Sequence, residues 1–84
     1  MNMKKVGTVT HYYGKIGVAI VELSDALKVG DRIKFENGTE FEQVVESMQV
    51  EHEQVEEAKK GEMIGLKVAQ KVKEGATVYL VEEE

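Results

Sequence analysis

The sequence predicts an all-β fold, a small closed six-stranded antiparallel β-barrel, on three observations. Apolar residues recur at every second position in several short runs, as at Ile64, Leu66 and Val68. Turn-forming residues separate these runs at short intervals, which is typical of small barrels. Closing the sheet would also leave no unpaired edge strand. The predicted strands are Lys5–Thr10, Lys15–Leu23, Arg32–Glu36, Thr39–Val50, Met63–Val68 and Thr77–Val81.

The side-chain pattern differs from strand to strand. Both phases of Lys15–Leu23 are apolar or small, so this strand is predicted to be buried on both faces. Arg32–Glu36 alternates apolar with charged residues, which indicates one wet face. In Thr39–Val50 the apolar phase changes at Val44-Val45, which predicts a bulge or a change of buried face.

Glycine-containing turns mark the boundaries of the strands. Tyr13-Gly14-Lys15 predicts a hairpin, and Asn37-Gly38 is the strongest hairpin signal because a type I′ turn needs positive φ at both positions. Before the third strand, Gly30 is expected to adopt positive φ and Asp31 to cap the turn with its carboxylate. Two further reversals are predicted at Gly61 and Gly75.

Helical periodicity is confined to one short segment. Within Gln54–Lys60, Val55 and Ala58 lie three positions apart, which predicts at most one helical turn. Met48 and Met63 are expected in the core.

Length and composition predict one domain, residues 1–84, of a soluble cytoplasmic protein. The chain has no cysteine, so neither disulfides nor thiolate metal sites can stabilise it. No apolar run approaches the roughly 18 residues of a membrane span, and the stretch Met1 to Lys5 does not lead into an apolar signal segment. We therefore expect no membrane partner.

Five short motifs occur in a characteristic order along nearly the whole chain. They are Leu27-Lys28-Val29-Gly30-Asp31-Arg32-Ile33, Val45-Glu46-Ser47-Met48-Gln49, Val55-Glu56-Glu57-Ala58-Lys59-Lys60-Gly61-Glu62, Gly65-Leu66 and Val72-Lys73-Glu74-Gly75. In this order and spacing they resemble the second, β-barrel domain of the translation elongation and initiation factor GTPases. A similar barrel forms the C-terminal domain of collagenase-like peptidase relatives, some of which hydroxylate RNA, and the chain resembles a free-standing version of that module.

The resemblance implies a translation-factor-like binding module without enzymatic activity. The chain has no phosphate-binding loop of the form G-x-x-x-x-G-K-[ST], so no nucleotide and no other cofactor is expected. In elongation factors of this family, domain two helps to hold the aminoacyl end of transfer RNA. This chain has an aliphatic residue near Val9 where an aromatic lines that pocket, which argues against the same mode of binding.

The charge distribution predicts where RNA or a ribosome-associated partner would bind. The net charge is −5, but no acidic residue occurs before Glu22, whereas Glu36 to Glu57 contains glutamates and neither lysine nor arginine. Aromatic and basic residues near the first hairpin can stack on bases and contact phosphates. The predicted RNA-binding residues are Lys4, Lys5, His11, Tyr12, Tyr13 and Lys15. The alternative for the tyrosines is that one closes the barrel end and the other is a solvated strand residue.

Other interpretations of the sequence remain open. The main alternative is a protein–protein adaptor that docks through its acidic strand Thr39–Val50 or through the barrel edge. The motif Gly14-Lys15-Ile16-Gly17 has the GxxG form of KH domains, but strand-patterned flanks disfavour that interpretation. His52 lies among glutamates, yet two distant histidines and no cysteine predict a solvated loop histidine and no metal site. No catalytic residues are predicted, since the acids near Ser24 and Ser47 lack a neighbouring histidine base.

Overall fold

A curled antiparallel sheet and a two-stranded ribbon make up the fold in a computed structural model that describes residues 2–37 and 40–82. The strands within these residues are β1 (Asn2–Tyr13), β2 (Val18–Leu23), β3 (Leu27–Lys28), β4 (Arg32–Glu36), β5 (Phe41–Val44), β6 (Met48–Val50), β7 (Glu53–Val55), β8 (Glu57–Ala58), β9 (Met63–Lys67) and β10 (Thr77–Glu82). The sheet has the order β5-β4-β10-β1-β2-β9-β6-β7, and the ribbon pairs β3 with β8. Across residues 2–37 and 40–82, no helix has the length and apolar character needed to cross a membrane.

The long strand β1 curls the sheet because it pairs with different neighbours along its length. Its first half pairs with β10 and its second half with β2, and Gly7 belongs to both ladders. Register shifts between Lys5 and Gly7, and between Val9 and His11, are bulges that increase the bend. A Cβ at Gly7 would lie 2.6 Å from Val21 Cγ1 and 2.9 Å from the carbonyl oxygen of Glu22. The two neighbouring strands can approach this closely only because position 7 carries no side chain.

The concave side of the sheet encloses the core. Phe35 is fully buried and its ring stacks on Phe41, with centroids 4.8 Å apart. All residues buried within the described part of the chain are apolar, so the core contains no buried polar side chain there. The buried cluster comprises Val6, Val9, Ala19, Val21, Leu23, Leu27, Ile33, Phe35, Val45, Met48, Ala58, Ile64, Leu66, Val68, Val72, Ala76 and Val78.

Two turns of the same design follow the two ribbon strands. After β3, Gly30 has φ of 98°, Asp31 N–H donates to the carbonyl of Lys28, and Asp31 Oδ2 accepts from Lys28 N–H at 2.9 Å. After β8, Glu62 makes the equivalent pair of bonds with Lys59. The predicted positive φ of Gly30 and the capping role of Asp31 are therefore confirmed, and the glycine-acid motif is used twice.

The sheet ends at β5 and β7, and a side chain connects one of these ends to the far side of the fold. Gln43 on β5 donates from Nε2 to the carbonyl of Lys67 at 2.9 Å and accepts from Ala69 N–H at 2.7 Å. This amide imitates the backbone bonds that a neighbouring strand would make. These two bonds connect β5 to the end of β9 and the segment that follows it, without a continuous ladder of backbone hydrogen bonds.

The all-β prediction is confirmed, whereas a closed six-stranded barrel is not. The described residues form an eight-stranded, strongly curled sheet whose two end strands are not paired with each other. The segment predicted as one strand, Thr39–Val50, contains two strands with different partners: β5 pairs with β4, and β6 pairs with β7 and β9. The predicted change of face is confirmed, because Phe41 and Val45 pack toward the core in one phase, whereas Met48 is buried in the opposite phase.

Two other local predictions are corrected by the structure. The helical turn predicted at Gln54–Lys60 is wrong, because the segment forms β7 and β8, and Ala58 is buried opposite Leu27. The strand predicted at Lys15–Leu23 begins at Val18, after a turn that completes the predicted hairpin, and its outer face is only partly covered. Asn37 has φ of 69°, as a type I′ turn requires, but Gly38 and Thr39 lie outside the described residues.

Candidate functional site

An apolar groove lies on the convex face of the sheet, away from the core. We call it the outer groove; its volume is about 320 Å³ and it is open to solvent. Its lining residues come from β1, β2, β6 and β9 and from the turns next to them: Tyr13, Ile16, Val18, Ile20, Gln49, Glu51, His52, Met63, Ile64 and Gly65.

Strand alternation produces the groove. Ala19 and Val21 of β2 point into the core, so Val18 and Ile20 point outward and are only half-buried. On the neighbouring strand β9, Ile64 and Leu66 are buried, and Gly65 pairs with Ile20. The result is a sheet face with apolar side chains on β2 and a shallow floor on β9.

Gly65 leaves that floor without a side chain. An added Cβ at this position would lie 3.5 Å from Val18 Cγ1 and 3.9 Å from Ile20 Cδ1, which are ordinary contact distances. Packing therefore does not require glycine here, and glycine also destabilises the interior of a strand. A strand glycine without a packing reason often marks the place where a ligand or another backbone approaches.

The walls of the groove expose large apolar side chains. Tyr13 is 47% exposed, Ile16 65% and Met63 49%, and the three lie around the half-buried Val18 and Ile20. Exposed apolar residues that cluster in this way are typical of interaction sites. Met48 is buried as predicted, but the prediction that Met63 belongs to the core is wrong, because its position on β9 faces outward.

A strained turn forms the rim at one end of the groove. Glu51 has φ of 51° and His52 φ of 67°, and together they form the two-residue loop between Val50 and Glu53. Hairpin loops with two positive φ values favour Asn-Gly, because larger side chains are costly in this conformation. Residues held in such conformations are often found at ligand-binding sites.

The predicted RNA-binding residues do not form one surface. Lys4 and Lys5 lie near the start of β1, whereas Tyr12 and Tyr13 lie at its end, roughly 25 Å away along the strand. Tyr12 packs partly against the core, and Tyr13 lines the outer groove. Lys15 lies in the exposed turn beside Ile16. RNA binding by these residues remains a prediction.

Two of these residues contact carboxylates within the chain. Lys4 Nζ lies 2.9 Å from Asp25 Oδ2, and this hydrogen bond raises the pKa of Lys4 and lowers the pKa of Asp25. His11 Nδ1 lies 2.8 Å from Glu74 Oε2, and its ring contacts Tyr13 with centroids 4.4 Å apart. Both side chains therefore already have carboxylate partners.

The structure places His52 on the rim of the outer groove and not in a metal cluster. Within the described residues, no group of three histidine, aspartate or glutamate side chains is arranged to hold a metal ion. Sequence reasoning singled out Tyr13 among the groove residues but missed Ile16, Met63 and Gly65. The alternation of Met63, Gly65 and Lys67 with buried residues was the available signal, since it placed all three on the outer face.

Comparison with known proteins points to the peptidases. No family model matches the sequence. The chain is 46% identical over 81 residues to an uncharacterized protease of Methanocaldococcus jannaschii; the match covers 94% of the chain but 20% of that protein. The chain thus spans about a fifth of the length of this relative.

Solved structures show the same fold. The C-terminal domain of a Geobacillus thermoleovorans protein named as a U32 peptidase superposes with a TM-score of 0.86 at 21% identity, covering 92% of this chain and 91% of that domain. Its selenomethionine variant gives a TM-score of 0.85 at 22% identity, covering 89% and 96% respectively. The resemblance to the C-terminal domain of collagenase-like, U32-family peptidases is therefore confirmed at the level of fold.

These findings correct the functional interpretation of the sequence. The relatives are named as a protease and as a U32 peptidase, so the prediction of a translation-factor-like binding module is wrong, as is the adaptor alternative attached to it. The motifs that carried the resemblance belong to turns and core strands, such as the two glycine-acid turns. Such residues report a fold and not a function.

Proposed function

We propose that the chain is an accessory domain of a U32-type peptidase and that its outer groove binds an extended, apolar peptide segment. The observation that carries the proposal is the exposed apolar surface of Tyr13, Ile16 and Met63 around the open floor at Gly65. The 46% identity to a named protease, of which the chain spans about a fifth, supports a role beside a larger catalytic portion.

The shape of the groove favours a peptide over an enclosed small molecule. Its volume of about 320 Å³ is at the lower end of the range for small-molecule pockets, and it is open to solvent. An extended peptide projects every second side chain in one direction, so one apolar side chain can enter above Gly65 while the side chains two positions away on either side lie over the ends of the groove.

The lining residues favour binding over bond cleavage within this chain. Gln49, Glu51 and His52 are the polar groups, and none of the lining residues is a serine, threonine or cysteine. The three polar side chains lie in contact with solvent on the rim. We therefore assign peptide-bond chemistry to another part of the peptidase and the capture of a peptide segment to this domain.

The test is a titration of the ¹⁵N-labelled chain with an acetylated and amidated pentapeptide of sequence Gln-Leu-Phe-Leu-Gln. We expect amide shifts on β2 and β9 and in the turn before β2. Met63→Ser removes an exposed wall and should weaken binding by about 1 kcal/mol, or roughly fivefold, with little loss of stability. Val44→Ser is the matched control, because Val44 is 45% exposed but lies on β5, outside the groove.

Several outcomes would contradict the proposal. The first is an absence of shifts at millimolar peptide, and the second is an equal loss of binding in the Val44→Ser control. The third is a dimer of the free protein in sedimentation experiments that Met63→Ser dissociates, which would identify a second copy of the chain as the occupant of the groove.

A further inference from the structure

Resting on the proposed function, we infer that the outer groove selects peptide segments of mixed charge, with a cationic group at one end of the apolar centre and an anionic group at the other. The inference comes from the charged residues that continue the outer face beyond the apolar floor. It concerns which peptides bind, whereas the proposed function concerns whether peptides bind.

The pairing of β2 with β9 fixes a direction in the groove. Val18 pairs with Lys67 at one end, and Glu22 pairs with Met63 at the other. Because residues two apart share a face, Val18 and Glu22 lie on the same side of β2 as Ile20. The outer face therefore changes along its length from a lysine, through the apolar floor, to a glutamate.

Strand β6 brings a second carboxylate to the acidic end. Gln49 pairs with Gly65 in antiparallel register, so the residues after Gln49 run toward Met63. Glu51 follows in the strained turn and lines the groove together with Met63. Glu22 and Glu51 therefore both lie near the Met63 end.

The charges at both ends are available to a ligand. Lys67, Glu22 and Glu51 are exposed, and none of them forms an ion pair within residues 2–37 and 40–82. Met63 and Lys67 are four residues apart on β9, so the ends are separated by about 13 Å. A peptide of about five extended residues spans this distance.

Charge complementarity with the two ends of the groove should determine which peptides bind more tightly. Exposed ion pairs change affinity only modestly, by about two- to fivefold each, and salt screens them. A peptide with one charge of each sign gains at both ends, whereas a peptide with two like charges gains at one end and is repelled at the other. A mixed-charge peptide can satisfy both ends in either chain direction.

The experiment compares four acetylated and amidated pentapeptides with the same Leu-Phe-Leu centre. Their end residues are Lys and Glu, Lys and Lys, Glu and Glu, or Gln and Gln. We expect the mixed-charge peptide to bind about four- to tenfold more tightly than the neutral one at low salt, and this difference to shrink at 0.5 M salt. Both like-charged peptides should bind more weakly than the mixed one.

Charge reversal supplies the decisive variant. Lys67→Glu leaves carboxylates at both ends, so its preferred ligand should become the peptide with two lysines. Lys71→Glu is the control, because Lys71 is exposed but lies in the loop after β9, outside the strands that form the outer groove; it should leave the order of affinities unchanged. Equal affinity for all four peptides, or an unchanged order in Lys67→Glu, would overturn the inference while leaving the proposed function intact. Failure of the neutral peptide and of the charged ones to bind at all would instead refute the proposed function.

Discussion

Two glycines on the same sheet should respond in opposite ways to alanine. At Gly7 the new Cβ would lie 2.6 Å from Val21 Cγ1 and 2.9 Å from the carbonyl oxygen of Glu22. The neighbouring backbone is fixed in the ladders on both sides of β1 and cannot move without breaking them. We expect Gly7→Ala to lower the free energy of unfolding by about 2–3 kcal/mol, as overpacked cores do.

Gly65→Ala is the matched variant, because the added Cβ meets nothing closer than 3.5 Å. Here the gain in strand propensity dominates, and the free energy of unfolding should rise by about 0.5–1 kcal/mol. Urea unfolding followed by circular dichroism would measure both changes, and the Tm of Gly7→Ala should fall by about 10–20 °C. Equal effects of the two substitutions, or a neutral Gly7→Ala, would refute the packing argument.

Three further predictions concern turns and one surface ion pair. Gly30→Val should lower the free energy of unfolding by about 1–3 kcal/mol because φ at this position is 98°; unchanged denaturant midpoints would contradict this. Replacing Glu51-His52 with Asn-Gly should raise stability by about 1–2 kcal/mol, since both positions have positive φ, and a lower Tm would contradict it. Asp25 has a lowered pKa beside Lys4. Its contribution to the free energy of unfolding is therefore complete above the unfolded pKa of about 3.9, and it is lost as the pH falls through the pKa of the folded state. Asp25→Asn should therefore be less stable than wild type at pH 7, with the two stabilities converging as the pH falls below the lowered pKa of Asp25; a difference that does not change with pH would argue against the ion pair.

Strand positions could be predicted because they depend on local alternation. Arg32–Glu36 matches β4, and the alternation of Ile64 and Leu66 with Met63 and Gly65 is visible in the sequence, although the expectation that Met63 lies in the core is wrong. The glycine-acid turn at Gly30-Asp31 was predictable for the same reason, since one residue supplies the φ value and the next supplies the cap. These features need no knowledge of which strands become neighbours.

The β6–β7 hairpin could not be predicted because its turn lacks the usual residues. Glu51-His52 occupies a conformation that normally selects Asn-Gly, so the sequence contains no hairpin signal at that position. Because the sequence contains no signal for that turn, the spacing of three between Val55 and Ala58 predicts a helical turn. The structure instead places them in β7 and β8, which belong to different sheets.

The outer groove depends on long-range pairing. The prediction of Val18, Ile20 and Gly65 as strand residues does not reveal that β2 and β9 are neighbours, with Ile20 opposite Gly65. The turn residue Ile16 completes the wall only after the β1–β2 hairpin has formed. The apolar residues that meet in the groove are scattered in the sequence. The charge asymmetry along the chain indicated instead the lysines near the two ends of β1.

The location of a bound peptide distinguishes the outer groove from the other exposed apolar surfaces of the chain. With ¹³C-labelled methyl groups in the protein and the unlabelled Gln-Leu-Phe-Leu-Gln peptide, intermolecular nuclear Overhauser effects report contacts between specific side chains. We expect contacts from the peptide phenylalanine or leucines to the methyl groups of Val18, Ile20 and Met63. Contacts confined to Val29 or Val44, which are also exposed but lie outside the groove, would contradict it.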